Sequence, residues 1–265
     1  MKALIAGVRG VAVGLGLFPL LLGAVPDSAP RDLSADRPDS TESPITVPQG
    51  MWQIESSFFS FTKDDTGGTD LESWVLGETN IKYGLTPRSD LQLVLAPHVH
   101  ERERTAMGLT EAEGIGDLIV RFKWNLWGND EGATAGGLLP YVKIPTGGEV
   151  SNDEWEGGLI VPFGWQFAEN YSLGLQVEVA QNFDEGAGNY WAFSYTAVLG
   201  AAVTEQLGVY LEYVGTISEL PYESLASAGV TFQVNDDLQF DLGGLLGLNN
   251  PSEDFTVFSG LTFRF

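Results

Sequence analysis

The chain has 265 residues, a formal net charge of -23, no cysteine, 33 glycines, and 18% charged against 43% hydrophobic residues. The missing cysteines exclude disulfides, thiolate metal sites and thiol nucleophiles. The acidic balance argues against nucleic acid as a partner, because a polyanion would be repelled.

The N-terminus reads as a secretory signal. Lys2 and Arg9 supply a positive start, Val11 to Leu22 an apolar stretch, and Gly23 and Ala24 small residues at the end. The apolar stretch is shorter than the ~20 residues that a membrane-spanning helix needs. We therefore expect a signal peptide over 1–24, with cleavage between 24 and 29. No Cys follows it, which excludes a lipoprotein anchor. Residues 25–50 are rich in Pro, Ser, Asp and Thr without an apolar period, and read as an extended N-terminal segment on the periplasmic side.

From 51 to 265 the chain alternates. Strands put successive side chains on opposite faces, so a wall between lipid and lumen must alternate too. Glu72 to Tyr83 reads as one continuous strand. In Asp117 to Leu126, the series Leu118, Val120, Phe122, Trp124 and Leu126 opposes Asp117, Ile119, Arg121, Lys123 and Asn125. Tyr171 to Val179, Leu207 to Thr216 and Leu238 to Leu246 repeat the pattern. Polar turns at 86–90, 128–132, 168–170, 204–206 and 235–237 are tight. Connections at 63–70, 101–114, 146–154, 184–189, 218–221 and 249–254 are longer and acidic or Gly-rich. The last strand, Phe255 to Phe265, ends on an aromatic residue, a signal for the barrel-assembly machinery.

Strands of about ten residues fit a tilted membrane strand rather than a soluble sandwich, whose strands run to ~5–6 residues. Trp and Tyr near strand ends fit interfacial girdles. The expected fold is all-β: an antiparallel transmembrane β-barrel of about 12 strands, with short periplasmic turns and longer extracellular loops, in the outer membrane.

Several motifs resemble one family. These are Asp32 to Pro44 with its Asp36-Arg37-Pro38-Asp39 core, Val47-Pro48-Gln49-Gly50, Gln53-Ile54-Glu55, Gly84 to Leu93, Gly116-Asp117 before Arg121 to Asn125, and Lys143 to Thr146. They resemble the meta-pathway phenol-degradation family of outer-membrane proteins, a family of transporter type. The resemblance implies a barrel passing hydrophobic or aromatic small molecules, and carries over no catalytic or ligand-binding residue. Asp36 to Asp39 reads either as a plug or strap or as a signature seating the first strand.

The candidate lumen-lining residues are Glu72, Glu78, Lys82, His98, His100, Asp117, Arg121, Lys123, Lys143, Glu178, Glu212, Asp241 and Arg264. Both signs are present, so they form either an ion network filling the interior or a wet channel selecting by charge. His98 and His100 lie two apart, a spacing that can chelate a metal, but no further His or Cys completes a site. We expect no metal and no cofactor. An outer-membrane lipid hydrolase would need Ser, His and a carboxylate together on the outer wall, whereas this register turns both His residues inward. The expected function is passive passage of small-molecule solutes through the barrel, with no catalysis. A closed structural or adhesive barrel is the alternative, and a hydrolase a third reading. Outer-membrane lipid and lipopolysaccharide are the expected surroundings, and the acidic extracellular mouth predicts a preference for cations or neutral solutes.

Overall fold

The computed structural model describes residues 31–184 and 186–265. The expected signal segment lies outside the described residues. Fifteen strand segments are present: β1 (Trp52–Thr66), β2 (Thr69–Leu76), β3 (Thr79–Thr86), β4 (Ser89–Leu95), β5 (His98–Thr105), β6 (Gly108–Gly114), β7 (Leu118–Trp127), β8 (Thr134–Ile144), β9 (Glu156–Ala168), β10 (Tyr171–Asp184), β11 (Gly188–Ala202), β12 (Leu207–Ser218), β13 (Glu223–Asn235), β14 (Leu238–Gly247) and β15 (Phe255–Arg264). All pairings are antiparallel, and β15 pairs with β1 to close the sheet. Three spanning strands are each broken in two, as β2 with β3, β4 with β5, and β6 with β7. The barrel is therefore twelve-stranded, as its alternation predicts.

The barrel is apolar outside and polar inside. Leu211 and Leu246 are 61% and 57% exposed, while Lys82 and Lys123 are each 1% exposed. An outward apolar wall of this extent is what lipid requires, and closure leaves few unpaired strand edges. Short turns join β3 to β4, β9 to β10, β11 to β12 and β13 to β14, and that end is the periplasmic one by the usual asymmetry.

The three breaks stand side by side. Gly77 between β2 and β3 has a φ of +71°, and a Cβ there would lie 3.3 Å from the Pro97 ring between β4 and β5. Gly116, between β6 and β7, donates its N–H to the carbonyl of Ala96 at 2.8 Å. A matching bulge in β1 falls between Ser57 and Phe59. Each irregularity adds or skips one residue, so the inward phase changes across it.

That phase change corrects three sequence expectations. Below the break Lys82 faces the lumen. Above it Glu72 shares the outer face with Trp74, which packs its ring 4.2 Å from Phe61. His98 pairs with Leu76, and His100 with Trp74, so both also face outward. Reading Glu72 to Tyr83 as unbroken carried one phase through Gly77.

Two connections expected to be long loops, at 63–70 and 101–114, are mostly strand: β1 runs to Thr66, β2 starts at Thr69, and β5 and β6 turn between Thr105 and Gly108. Their charges lie on extended strands beyond the apolar band, where polar residues occupy both faces. The segment expected to lie extended on the periplasmic side is also corrected, because residues 31–50 enter the barrel.

Gly77→Val should be destabilising by about 1–2 kcal/mol, the cost of left-handed backbone for a residue with a Cβ. A lower midpoint for loss of the heat-sensitive folded band on gels checks this; an unchanged midpoint would show that the break tolerates a side chain.

Candidate functional site

The site is the lumen together with the segment that fills its middle. Residues 31–46 contain no regular structure, so their backbone N–H groups need other partners. The wall supplies them. Asp36 N–H donates to Glu55 at 3.1 Å, Ser40 N–H to Glu212 at 2.9 Å, and Glu42 N–H to Gln176 at 2.7 Å. Thr46 N–H donates to Asn129 at 3.0 Å and Val47 N–H to Asp90 at 2.9 Å. The segment starts at the periplasmic end, where Arg31 pairs with Asp130 at 3.0 Å and its carbonyl accepts from Arg264 at 2.7 Å. It crosses to β10–β12, returns past β7, and meets β3 through a parallel bridge of Gln49 with Gly84 before entering β1.

At the centre is Asp36. Its carboxylate takes Lys123 Nζ at 2.6 Å and 2.8 Å, and also Lys82, which in turn reaches Glu55. Burial would raise the Asp36 carboxyl, but Lys123 and Lys82 outweigh it and hold it far below the ordinary range. Next to it, Glu42 accepts from Arg121 at 2.7 Å, with Lys123 at 3.9 Å. Burial, and then the neighbouring Asp36 carboxylate, push the Glu42 carboxyl up to about 7. Its second oxygen finds no hydrogen-bond partner among the described residues. Burial, followed by Glu212, also raises Asp39 well above its usual value.

Arg37 makes the other anchor. It forks onto Asp241 at 2.7 Å and 3.1 Å, donates to Ser57 Oγ at 2.7 Å, and lies 5.8 Å from the Phe258 ring centroid. Gly260 makes room for it: a Cβ there would be 2.6 Å from Arg37 Nη2.

Among the candidate lumen residues, Lys82, Arg121, Lys123, Glu212, Asp241 and Arg264 all touch residues 31–42. Glu78 borders a cavity beside Arg37. Asp117 and Lys143 pair at 3.2 Å nearer the extracellular end, and Lys143 also reaches Glu156 at 3.0 Å. Glu178 accepts from the Tyr141 hydroxyl. Glu72, His98 and His100 stand outside this set on the outer wall, with both His rings near Glu113, at 3.7 Å and 3.9 Å. No hydroxyl meets either His among the described residues, and no metal-holding group of His, Asp and Glu is found there.

Sequence reasoning missed the partners on the segment itself, Arg37 and Glu42, and wall residues such as Glu55, Asp90, Gln176 and Asn129. Glu55, Asp90 and Gln176 lie on inward strand faces like the residues that were found, whereas Asn129 lies in the β7–β8 turn, which has no alternation to read. The segment offered only its motif.

Removing one partner of a buried ion pair leaves an uncompensated charge, so Asp36→Asn should loosen the segment by about 3 kcal/mol or more. Proteolysis within 31–50 should accelerate in the folded barrel; an unchanged cleavage rate would refute the central role of Asp36. Once released, Glu42 titrates near its ordinary 4.5, so between that value and about 7 the docked form binds more protons than the released one. Docking therefore weakens as pH rises through this window. Asp36 acts in the opposite sense, but only as pH falls below its ordinary 3.8. Cleavage should speed up from about pH 5 to 8, and Glu42→Gln should make the profile shallower, the raised Asp39 carboxyl leaving a remainder of the same sign; a flat profile in the unmodified protein would contradict the assignment.

Comparison with solved structures gives the same architecture. The COG4313 outer membrane channel from Pseudomonas putida F1 is similar with a TM-score of 0.66 at 16% identity, covering 88% of this chain and 100% of that one. The β-domain of the Bordetella autotransporter BrkA gives 0.54 at 10%, covering 80% and 98%. The NanC porin gives 0.51 at 6%, covering 81% and 100%. At these identities the likeness is one of fold, that of outer-membrane barrels. No curated protein matches the chain in sequence. A family model described as "Putative MetA-pathway of phenol degradation" matches residues 35–265, which begins inside the lumen segment and runs to the last strand, and the chain belongs to that family.

Proposed function

We propose that the protein is a passive outer-membrane channel for small, largely uncharged molecules, narrowed by its own residues 31–50. The observation that carries this reading is a pair of lumen cavities meeting at Arg37 and Pro38. One, of about 360 Å3, opens towards the periplasmic turns between Gln166, Ser172, Thr231, Gln233 and Gln239. The other, of about 210 Å3, lies among Ser57, Ser60, Val75, Glu78 and Phe258. Both are bordered by Arg37 and Pro38. A third, of about 490 Å3, shares Ala35, Asp39, Gln166, Ser172 and Val198 with the first and extends it along β9–β11.

Amide and hydroxyl groups dominate the periplasmic stretch, while Val75, Leu245 and Phe258 add apolar surface beyond the partition. Neutral solutes with one polar group and a small apolar body suit such a lining. The family's link to phenol degradation supports aromatic compounds as cargo. The cation-over-anion preference follows from the acidic loops. Catalysis forms no part of the reading: among the described residues the outward His98 and His100 have a carboxylate in Glu113 but no nucleophile hydrogen-bonded to them. A closed structural barrel is the second reading, favoured by the contacts of the segment with nearly every side of the lumen.

Single-channel recording in a planar bilayer decides between the two. The channel reading expects small, discrete steps without anion preference, larger in Arg37→Ala, which removes the partition's side chain. Liposomes carrying the protein should admit phenol-sized neutral aromatics faster than their charged analogues. Silence of both the unmodified protein and Arg37→Ala, with the barrel folded, would leave the structural reading standing.

A further inference from the structure

The outer wall carries its cations in one place. Lys82, Arg121, Lys123, Lys143 and Arg264 face the lumen, Arg31 and Arg37 belong to the inner segment, and Arg88 sits in a periplasmic turn. The outward-facing cations left among the described residues are Lys63, Arg102 and Arg104, on the adjoining strands β1 and β5, which flank β2. In register they join Asp70 and Glu72 of β2: Lys63 opposes Glu72, Glu72 opposes Arg102, and Asp70 opposes Arg104.

Two observations give the height of this patch. It lies one outward position beyond Phe61 and Trp74, whose ring centroids are 4.2 Å apart, and Phe255, 5.9 Å from Phe61, stands opposite Lys63 itself. Such rings sit at the level of lipid headgroups. The adjoining β6 pairs with β5 and leaves its far edge unpaired by any strand. Hydrocarbon does not tolerate an unpaired edge, so the β5–β6 hairpin stands at or above the headgroups.

Lys63 is held by Asp70, with Glu72 at 3.4 Å, but the two arginines are loosely engaged. Arg102 meets Glu72 and Glu111 only at 3.6 Å, against ~2.7–2.9 Å for a tight charge-assisted bond. Arg104 enters no ion pair among the described residues. A small cavity of about 70 Å3 lies between Asp70, Glu72, Arg102 and Arg104. That is room for one compact anion or about two waters, at ~30 Å3 each.

We propose that Lys63, Arg102 and Arg104 bind a phosphate of the outer-leaflet glycolipid, lipopolysaccharide, with Asp70 and Glu72 holding the cationic side chains in place. A protein with a net charge of -23 repels anionic lipid elsewhere, so the patch gives the barrel one preferred lipid contact and one preferred azimuth in the leaflet. The inference rests on the orientation adopted for the channel, but is tested without transport: conductance reports on the channel, and lipid binding on the patch.

The test uses the folded mature protein in detergent, titrated with diphosphoryl lipid A and with its fully dephosphorylated form, and followed by native mass spectrometry. We expect a preference of about tenfold or more for the phosphorylated lipid, the scale of one lost charge-assisted bond. Arg102→Gln with Arg104→Gln should abolish the preference while the heat-sensitive folded band on gels persists. Glu111→Gln removes a competing carboxylate and should tighten binding several-fold, which keeps the proposal testable should the double variant not fold. Equal binding of the two lipids, unchanged preference in a folded double variant, or no tightening in Glu111→Gln would overturn it. Displacement by millimolar inorganic phosphate would also overturn the lipid assignment, making the patch a site for the free anion.

Discussion

Everything in the lumen depends on one requirement: an irregular backbone taken out of bulk water must have its N–H groups answered. Residues 36–47 supply the donors, and the inward faces of β1, β4, β10 and β12, with the β7–β8 turn, supply carboxylate and amide acceptors. The carboxylates among these acceptors also carry charge, which nearby cations balance where they stand closest. Lys82 and Lys123 do this for Asp36 and Glu55, and Arg37 for Asp241. Wall and segment are thus electrostatic complements, and neither is satisfied alone.

The two halves of the barrel differ in how they meet this demand. From β8 to β15 the strands run unbroken, with lipid-facing Leu, Val and Phe alternating with Gln, Ser, Thr and isolated acids. From β1 to β7 every spanning strand is kinked near one level, by Gly77, Pro97, Gly116 or the Ser57 bulge. Proline and positive-φ glycine are poor residues for a continuous ladder and suitable ones for an interruption. The concentrated charge of Lys82, Asp90, Arg121 and Lys123 lies on the periplasmic side of these kinks, where it meets the segment.

The barrel was legible in the sequence because alternation is a local property. Asp117 to Leu126 and Tyr171 to Val179 each show their two faces within ten residues, and nothing far away alters them. Lys123, Glu212 and Asp241 were found inward for that reason. What stayed hidden is either non-local or depends on phase. Nothing near Asp36 announces that it meets Lys82 and Lys123, since that contact is made by the return of a segment through a closed cylinder. His98, His100 and Glu72 were misplaced for the second reason: a single glycine of positive φ, or a proline, reverses a face, and composition records neither.

The reversal has a consequence for how this wall tolerates change. On the kinked strands, even-numbered positions meet water below Gly77 and Pro97 and meet the outer surface above them. A one-residue insertion or deletion at those points would restore a smooth ladder yet turn Lys82 or Asp90 towards lipid, or Trp74 and Leu76 into the lumen. The irregular residues therefore act as phase markers, and drift in length should be confined to the loops. In β9 to β14, where one phase serves the whole height, conservative exchange of one apolar residue for another leaves the wall intact.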